Sequence, residues 1–160
     1  MDFTIREAVL DDRERIMPLQ KEIADLHHLG APQLFKDEAR YYSPEAFREK
    51  LENPLGVTYI AENGKGEVVG YLFAWLMQYR NHPTYVDFDK FYIDDICVAS
   101  SSRRQGIGKA LMEKALLKAK EMNALELELG VWGFNEDAIE FYKACGFEIQ
   151  ACRMAKTIKE

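Results

Sequence analysis

The sequence has few cysteines and prolines, no long apolar run and a shortage of positive charge. Its 160 residues include 3 cysteines and 5 prolines, and Cys97, Cys145 and Cys152 lack the spacing of a zinc site or a disulfide framework. We therefore expect no metal site, and a reducing compartment such as the cytoplasm. The apolar stretch at 71–77 is shorter than the roughly 20 residues that span a bilayer, and the first residues show no signal-peptide pattern, so no membrane partner is expected.

The charge balance is acidic, with 21 Lys and Arg against 27 Asp and Glu, for a net charge of −6. Such a chain is a poor general binder of nucleic acid, because phosphate binding needs a positive field. The balance favours a neutral or cationic small partner. Hydrophobic residues make up 48% of the chain and aromatic residues 12%, which excludes a disordered chain. The length fits one domain, residues 1–160.

Alternating and helically spaced apolar residues predict the element order β-α-α-β-β-β-α-β-α-β. Asp11 and Glu14 have the spacing of a capping box at the start of the first helix. The chain therefore predicts an α/β fold, with a mixed, mostly antiparallel sheet between helices. The predicted segments are strand 3–5, helices 12–26 and 44–53, strands 57–61, 67–77 and 85–98, helix 106–122, strand 125–131, helix 135–146 and strand 147–158.

The segment with the clearest chemistry follows the predicted strand that ends at Val98. A polar turn leads into a helix that begins with Gly106 and Gly108. A helix N-terminus offers unpaired N–H groups and a partial positive charge, and glycine lets a ligand approach the backbone closely. Arg103, Arg104 and Lys109 supply three cations on an acidic chain. Together these features predict a phosphate or pyrophosphate site.

The segment does not match either of two common phosphate-binding motifs. A P-loop would need glycine at Arg103 and a hydroxyl residue at Ala110. A dinucleotide fingerprint would need a third glycine at Leu111. An ordinary basic corner between strand and helix stays open as an alternative.

Three sequence blocks resemble the GNAT N-acetyltransferase superfamily. Arg103-x-x-Gly106-x-Gly108 is similar to its acyl-CoA-binding motif, and residues 91–98 resemble the strand that precedes that motif. Residues 135–147 resemble the family's Asn-x-x-Ala-x-x-Phe-Tyr-x-x-x-Gly-Phe segment. The resemblance is strong over 85–147. Before residue 85, only the order of helices and strands agrees with the family. It implies the GNAT three-layer fold and acetyl-CoA as the acetyl donor.

The resemblance also implies a cofactor site. The backbone N–H groups of 104–109 would hold the pyrophosphate, and 96–98 would pair with the pantetheine arm as an added strand. The N–H of Val98, or of a neighbour, would stabilise the developing oxyanion. Asn135 would contact the pantetheine arm or the helix start, and a plain helix N-cap is the alternative. The predicted cofactor-binding residues are Ile96, Cys97, Val98, Arg103, Arg104, Gln105, Gly106, Ile107, Gly108, Lys109 and Asn135.

Three residues are candidates for proton transfer. Tyr142 resembles the family's general acid, which protonates the departing CoA thiolate; the alternative is a partly buried helix aromatic. Asp94 and Asp95 lie where polyamine acetyltransferases of this superfamily carry acidic residues, and a desolvated carboxylate could serve as the base. Strand alternation would send these two side chains to opposite faces of the sheet. A solvated acidic patch that attracts substrate is the alternative.

The expected activity is direct transfer of an acetyl group from acetyl-CoA to a primary amine. The acceptor would be a small molecule or a protein amine, and the acidic balance favours a cationic one. A non-catalytic acyl-CoA sensor and a phosphate-binding protein unrelated to CoA are the alternatives. Dimers are frequent among relatives, so a homodimer is also an expectation of the resemblance.

Overall fold

A computed structural model describes residues 2–38 and 41–158 of the chain. The chain divides into two compact units, with the boundary in the sequence between Gly130 and Val131. Within the described residues, no helix is both long and apolar enough to cross a membrane. The elements are β1 (Phe3–Glu7), α1 (Asp12–Gly30), α2 (Pro44–Glu52), β2 (Gly56–Asn63), β3 (Val68–Tyr79), β4 (Phe88–Val98), a 3-10 turn (Ser100–Ser102), α3 (Ile107–Glu121), β5 (Glu126–Leu129) and α4 (Glu136–Ala144).

The first unit is built on a five-stranded sheet in the order β1-β2-β3-β4-β5. The first four strands pair antiparallel with their neighbours, as short connections such as the turn at 64–67 allow. β5 follows α3 and pairs parallel with β4, through 90–93 of β4 and 126–129 of β5. The predicted mixed sheet, with its antiparallel middle, is confirmed.

Helices cover both faces of this sheet. Tyr71 and Phe73 of β3 are almost fully buried on one face. A β-carbon at Gly70, on the other face, would lie 3.0 Å from Ile107 and 3.2 Å from Leu111 of α3, so this position needs glycine for α3 to pack. The predicted three layers are therefore present in the first unit. The buried residues of α1 and α2 that pack with Tyr71 and Phe73 are Ile16, Leu19 and Phe47.

The start of α1 differs from the predicted capping box. Asp11 stands at the N-cap position with helical backbone angles, and its side chain makes no capping hydrogen bond. Instead the Asp12 carboxylate, which is fully buried, accepts from the Val9 N–H at 2.9 Å. It also pairs with Arg6 at 2.7 Å and Arg15 at 2.6 Å. The capping box is wrong because the next residue, whose carboxylate is buried, holds the helix start through its hydrogen bond and ion pairs.

The second unit contains α4. The Asn135 side chain caps this helix by accepting from the Ala138 N–H at 3.3 Å, so its capping role is confirmed. The predicted strand at 147–158 is wrong, since these residues form no strand. Alternation produces a strand only where a neighbouring edge supplies backbone hydrogen bonds. Two apolar side chains of this segment are accordingly exposed, Ile149 by 76% and Met154 by 89%.

Candidate cofactor and acceptor site

A β-bulge interrupts the pairing of β3 with β4. Phe73 lies opposite Asp95, whereas the next residue of β3, Ala74, lies opposite Ile93. Asp94 is therefore an extra residue on β4. A bulge of this kind bends the strand and re-aims the side chains beside it, and it is common next to active sites.

The bulge brings the two predicted carboxylates to the same face of the sheet. Asp95 accepts a hydrogen bond from the Tyr71 hydroxyl at 2.6 Å, and Tyr71 packs on the face covered by α1 and α2. Asp94 lies 3.4 Å from the ammonium group of Lys50, a residue of α2. The prediction that strand alternation separates Asp94 from Asp95 is wrong, because simple alternation does not hold across a bulge.

The environment of Asp95 suits a base at neutral pH. Burial raises the pKa of its carboxyl to about 6, and the negative charge of Asp94 adds to this rise. The Tyr71 hydroxyl and the Lys50 ammonium act in the opposite direction, because both stabilise the ionised form. Asp95 is therefore mostly ionised at pH 7 and free to accept a proton. Its pKa lies about four units below that of a primary amine, closer than the pKa of an ordinary aspartate does.

Cys97, two residues further along β4, is not a nucleophile. Its side chain is buried, and the thiol donates to the Leu19 carbonyl at 3.5 Å. Burial and the nearby Asp95 raise the pKa of this thiol to about 12. It is thus protonated at neutral pH, and the thiolate is the reactive form. The backbone of Cys97 pairs with Tyr71 of β3, so this residue lies between the two residues whose backbone groups face away from β3.

The end of β4 offers a backbone edge on the side away from β3. β5 pairs with β4 only through Ile93, and no other described strand pairs beyond it on that side. The Ala99 N–H donates to Val69 of β3 at 2.9 Å. Because the backbone groups of alternate residues point to opposite sides, those of Ile96 and Val98 point to this open edge. The Val98 carbonyl accordingly accepts from Arg103 Nε at 3.4 Å.

The loop after β4 exposes the backbone at the start of α3. Arg104 and Gly106 have positive φ angles of 60° and 85°, and Gly106 occupies the N-cap position with no side-chain cap. The Gly106 carbonyl accepts from Ala110 at 3.0 Å, so the N–H groups of 107–109 precede the first bond of the helix. A β-carbon at Gly106 would meet no protein atom within 4 Å. This surface fits the approach of a phosphate group.

The cations of the loop extend towards solvent. Arg103 is 51% exposed and Lys109 is 75% exposed. Each is 4.0 Å from a glutamate, Glu22 and Glu113 respectively, and such long, exposed ion pairs contribute little. Both side chains can therefore turn to an anion. Ile107, by contrast, is almost fully buried and can offer only its backbone.

The remaining predicted residues belong to the second unit. Asn135 caps α4, and its role towards a ligand stays a prediction. Tyr142 is partly buried on α4, with its ring centroid 5.4 Å from Phe141 and 6.0 Å from Phe147. Its role as the acid also stays a prediction.

A cleft of about 360 Å³ lies between α2, β2 and β3. Tyr42, Lys50, Phe73 and Trp75 are among the residues that line it. Sequence reasoning did not assign Phe73 or Lys50 to a site. The alternation of Phe73 with Trp75 along β3 predicts that both lie on one face, so the sequence could have placed them in one cleft. Lys50 belongs to a different element, and no local pattern indicates that it joins them.

The family model described as acetyltransferase (GNAT) matches residues 21–147. This chain belongs to the GNAT acetyltransferase family. The match includes β4, the glycine loop, α3 and all of α4. The predicted family and the predicted enzyme class, an acyltransferase, are thereby confirmed.

Comparison with known proteins gives the same family. The chain is 32% identical over 152 residues to an N-alpha-acetyltransferase from Sulfurisphaera tokodaii, covering 92% of this chain and 81% of that protein. It is 30% identical over 145 residues to a thialysine N-epsilon-acetyltransferase from Bos taurus, covering 89% and 82%. A mutant of the BH1408 protein from Bacillus halodurans has a TM-score of 0.92 at 24% identity, covering 97% and 99%, which shows the shared fold alone.

Within the first unit of this GNAT protein, three groups of predicted residues follow one another along the chain. Asp94 and Asp95 lie at the bulge of β4, directly before 96–98, and 103–109 follow after one 3-10 turn. Strand β4 thus connects a candidate base, an open backbone edge and an exposed helix start.

Proposed function

We propose that this GNAT protein transfers an acetyl group from acetyl-CoA to a primary amine by direct attack. The observation that carries the proposal is the position of Asp95, whose pKa is about 6. It lies on β4 directly before the open edge at 96–98. A base at that place can receive the proton of an amine that reacts beside the edge.

The donor fits the residues that would hold it. Acetyl-CoA, when bound, supplies the acetyl group as an activated thioester. The N–H groups of 107–109 and the cations Arg103, Arg104 and Lys109 would bind its pyrophosphate, because a helix start with added positive charge stabilises an anion. Ile96 and Val98 would hydrogen-bond the extended arm along the open edge, and the Val98 N–H would stabilise the developing oxyanion.

The chain's own groups account for the protons. Asp95 first accepts a proton from the ammonium group, because only the neutral amine can attack. As the nitrogen then bonds to the acetyl carbon and the carbon–sulfur bond breaks, the nitrogen loses a second proton, which balances the proton that the departing sulfur gains. Tyr142 would donate its hydroxyl proton to the departing sulfur, since a phenol of pKa near 10 is protonated at neutral pH and can transfer a proton to a thiolate. The burial of the Cys97 thiol, which donates to the Leu19 carbonyl, supports direct attack over an acetyl-enzyme at this residue.

The acceptor is proposed to be a cationic amine. Two carboxylates, Asp94 and Asp95, lie together at the bulge, and only one cationic side chain, Lys50, is shown in contact with either within the described residues. This excess of negative charge attracts a cation. The name of the cattle relative, thialysine N-epsilon-acetyltransferase, supports an amine acceptor.

A thiol-release assay tests the proposal. Purified protein is mixed with acetyl-CoA and, in turn, a polyamine, an amino sugar, an amino acid derivative and a lysine-containing peptide. Release of CoA that depends on the amine is expected with at least one cationic acceptor. Asp95→Asn should remove this release. Binding of CoA without release by any amine would instead favour the sensor, and no binding of CoA would end the proposal.

A further inference from the structure

The ammonium group of Lys50 lies inside a ring of aromatic side chains. Its Nζ is 4.8 Å from the ring centroid of Tyr42, 4.9 Å from that of Phe73 and 5.3 Å from that of Trp75. All three distances fall within the roughly 6 Å at which a cation is attracted by an aromatic face. Three such faces around one nitrogen form an aromatic cage, which is the arrangement that recognises organic ammonium groups.

The cage is completed by negative charge. Asp94 Oδ2 lies 3.4 Å from the Lys50 nitrogen, longer than the 2.7–2.9 Å typical of a strong charge-assisted hydrogen bond. Lys50 also stabilises the ionised form of Asp95. One ammonium group thus faces two carboxylates, and its side chain is 22% exposed. The surroundings favour a cation strongly, but the pairing with Lys50 itself is loose.

The cage also opens into a space large enough for a ligand. The cleft of about 360 Å³ is lined by all three cage aromatics and by Lys50, and its volume is in the range of small-molecule sites. Lys50 reaches it from α2 on a flexible four-carbon side chain. The side chain can therefore leave the cage without any movement of the backbone.

We propose that Tyr42, Phe73, Trp75 and Asp94 form a binding site for an organic ammonium group, which Lys50 fills when no ligand is present. Lys50 acts as an internal competitor, because a ligand binds only in the fraction of molecules whose cage is open. That the bound ammonium belongs to the acetyl acceptor rests on the proposed function; the site itself does not.

Calorimetric titration with choline, without acetyl-CoA, tests the site. If Lys50 fills the cage in more than about nine-tenths of molecules, Lys50→Ala should bind choline at least tenfold more tightly than the native protein. Lys50→Gln should give the same gain in choline affinity. This second variant keeps the test valid if the alanine variant folds poorly. The neutral isostere 3,3-dimethylbutan-1-ol should bind Lys50→Ala at least tenfold more weakly than choline does.

Two variants make the test specific. Arg48→Ala removes an exposed cation from the same helix, outside the residues that line the cleft, and should leave choline affinity unchanged. Trp75→Leu in the Lys50→Ala background should abolish binding.

The proposal is overturned by equal choline affinity in the Lys50 variants and the native protein, by an equal gain in Arg48→Ala, or by equal binding of the neutral isostere. Loss of acetyl transfer alone, with choline binding intact, would count against the proposed function and not against this site.

Discussion

Replacement of Tyr71 by phenylalanine should move the pH dependence of the reaction. The Tyr71 hydroxyl donates to Asp95 at 2.6 Å, and its side chain is fully buried in the core of the sheet. Phenylalanine keeps the packed ring and removes only the donor. Because the donor stabilises the ionised carboxylate, its loss raises the pKa of Asp95 further.

The size of the shift follows from the strength of the lost hydrogen bond. A hydrogen bond to a charged group contributes about 1.5–3 kcal/mol, which corresponds to about 1–2 pKa units. The pKa of Asp95 should therefore rise from about 6 to about 7–8. At pH 7 the ionised fraction falls from about nine-tenths to between about a half and a tenth.

The assay is kcat/KM for the best amine acceptor between pH 5 and 9. In the native protein kcat/KM should rise about tenfold per pH unit below about pH 6 and level off above it. Tyr71→Phe should be about two- to tenfold slower at pH 7 and should recover at pH 9. Tyr59→Phe, a matched change in β2, should leave the midpoint of the pH profile unchanged.

Two results would refute this reasoning. One is a Tyr71→Phe profile with an unchanged midpoint and a lower plateau, which would make the hydroxyl irrelevant to the ionisation of Asp95. The other is a native profile that shows no titration between pH 5 and 7, or a titration in that range that is still present in Asp95→Asn. Either native result would assign the base to another group.

Three further predictions concern stability, the glycine loop and the acid. Since the pKa of Asp95 is higher in the folded than in the unfolded chain, its ionisation destabilises the fold as pH rises from about 4 to 6. Asp95→Asn should therefore raise the melting temperature at pH 7 and leave it nearly unchanged at pH 4; equal effects at both would contradict this. Gly106→Ala should weaken CoA binding in calorimetry, whereas Gly66→Ala, with a similar φ of 77° and equally open surroundings, should cost similar stability and leave CoA affinity intact. Tyr142→Phe should lower kcat by about 10²–10⁴-fold with CoA affinity nearly unchanged; an unaltered kcat would remove Tyr142 from the mechanism.

The order of elements was predictable because each signal is local. The alternation at 125–131 and the helical spacing at 106–122 come from one segment and its own buried face, and the structure has β5 and α3 there. The motif Arg103-x-x-Gly106-x-Gly108 is also contained in one loop. The strand at 147–158 failed for the opposite reason, because its alternation needs an edge elsewhere in the fold.

The details that give the acceptor site its chemistry depend on contacts between segments. The bulge that aligns Asp94 with Asp95 is defined by the register of β4 against β3, and alternation along β4 alone predicts the wrong faces. Lys50 reaches Asp94 across 44 residues of sequence. No pattern within α2 distinguishes this lysine from one that extends into solvent.

Direct transfer from acetyl-CoA to an amine is tested most directly by a pair of mass spectra. Protein incubated with acetyl-CoA alone should keep its mass, since the mechanism has no acetyl-enzyme. When the best acceptor is added, the acceptor should gain one acetyl group on nitrogen, with one CoA released per product. An acetylated protein that passes its acetyl group to the amine, or CoA release without an acetylated amine, would contradict the account.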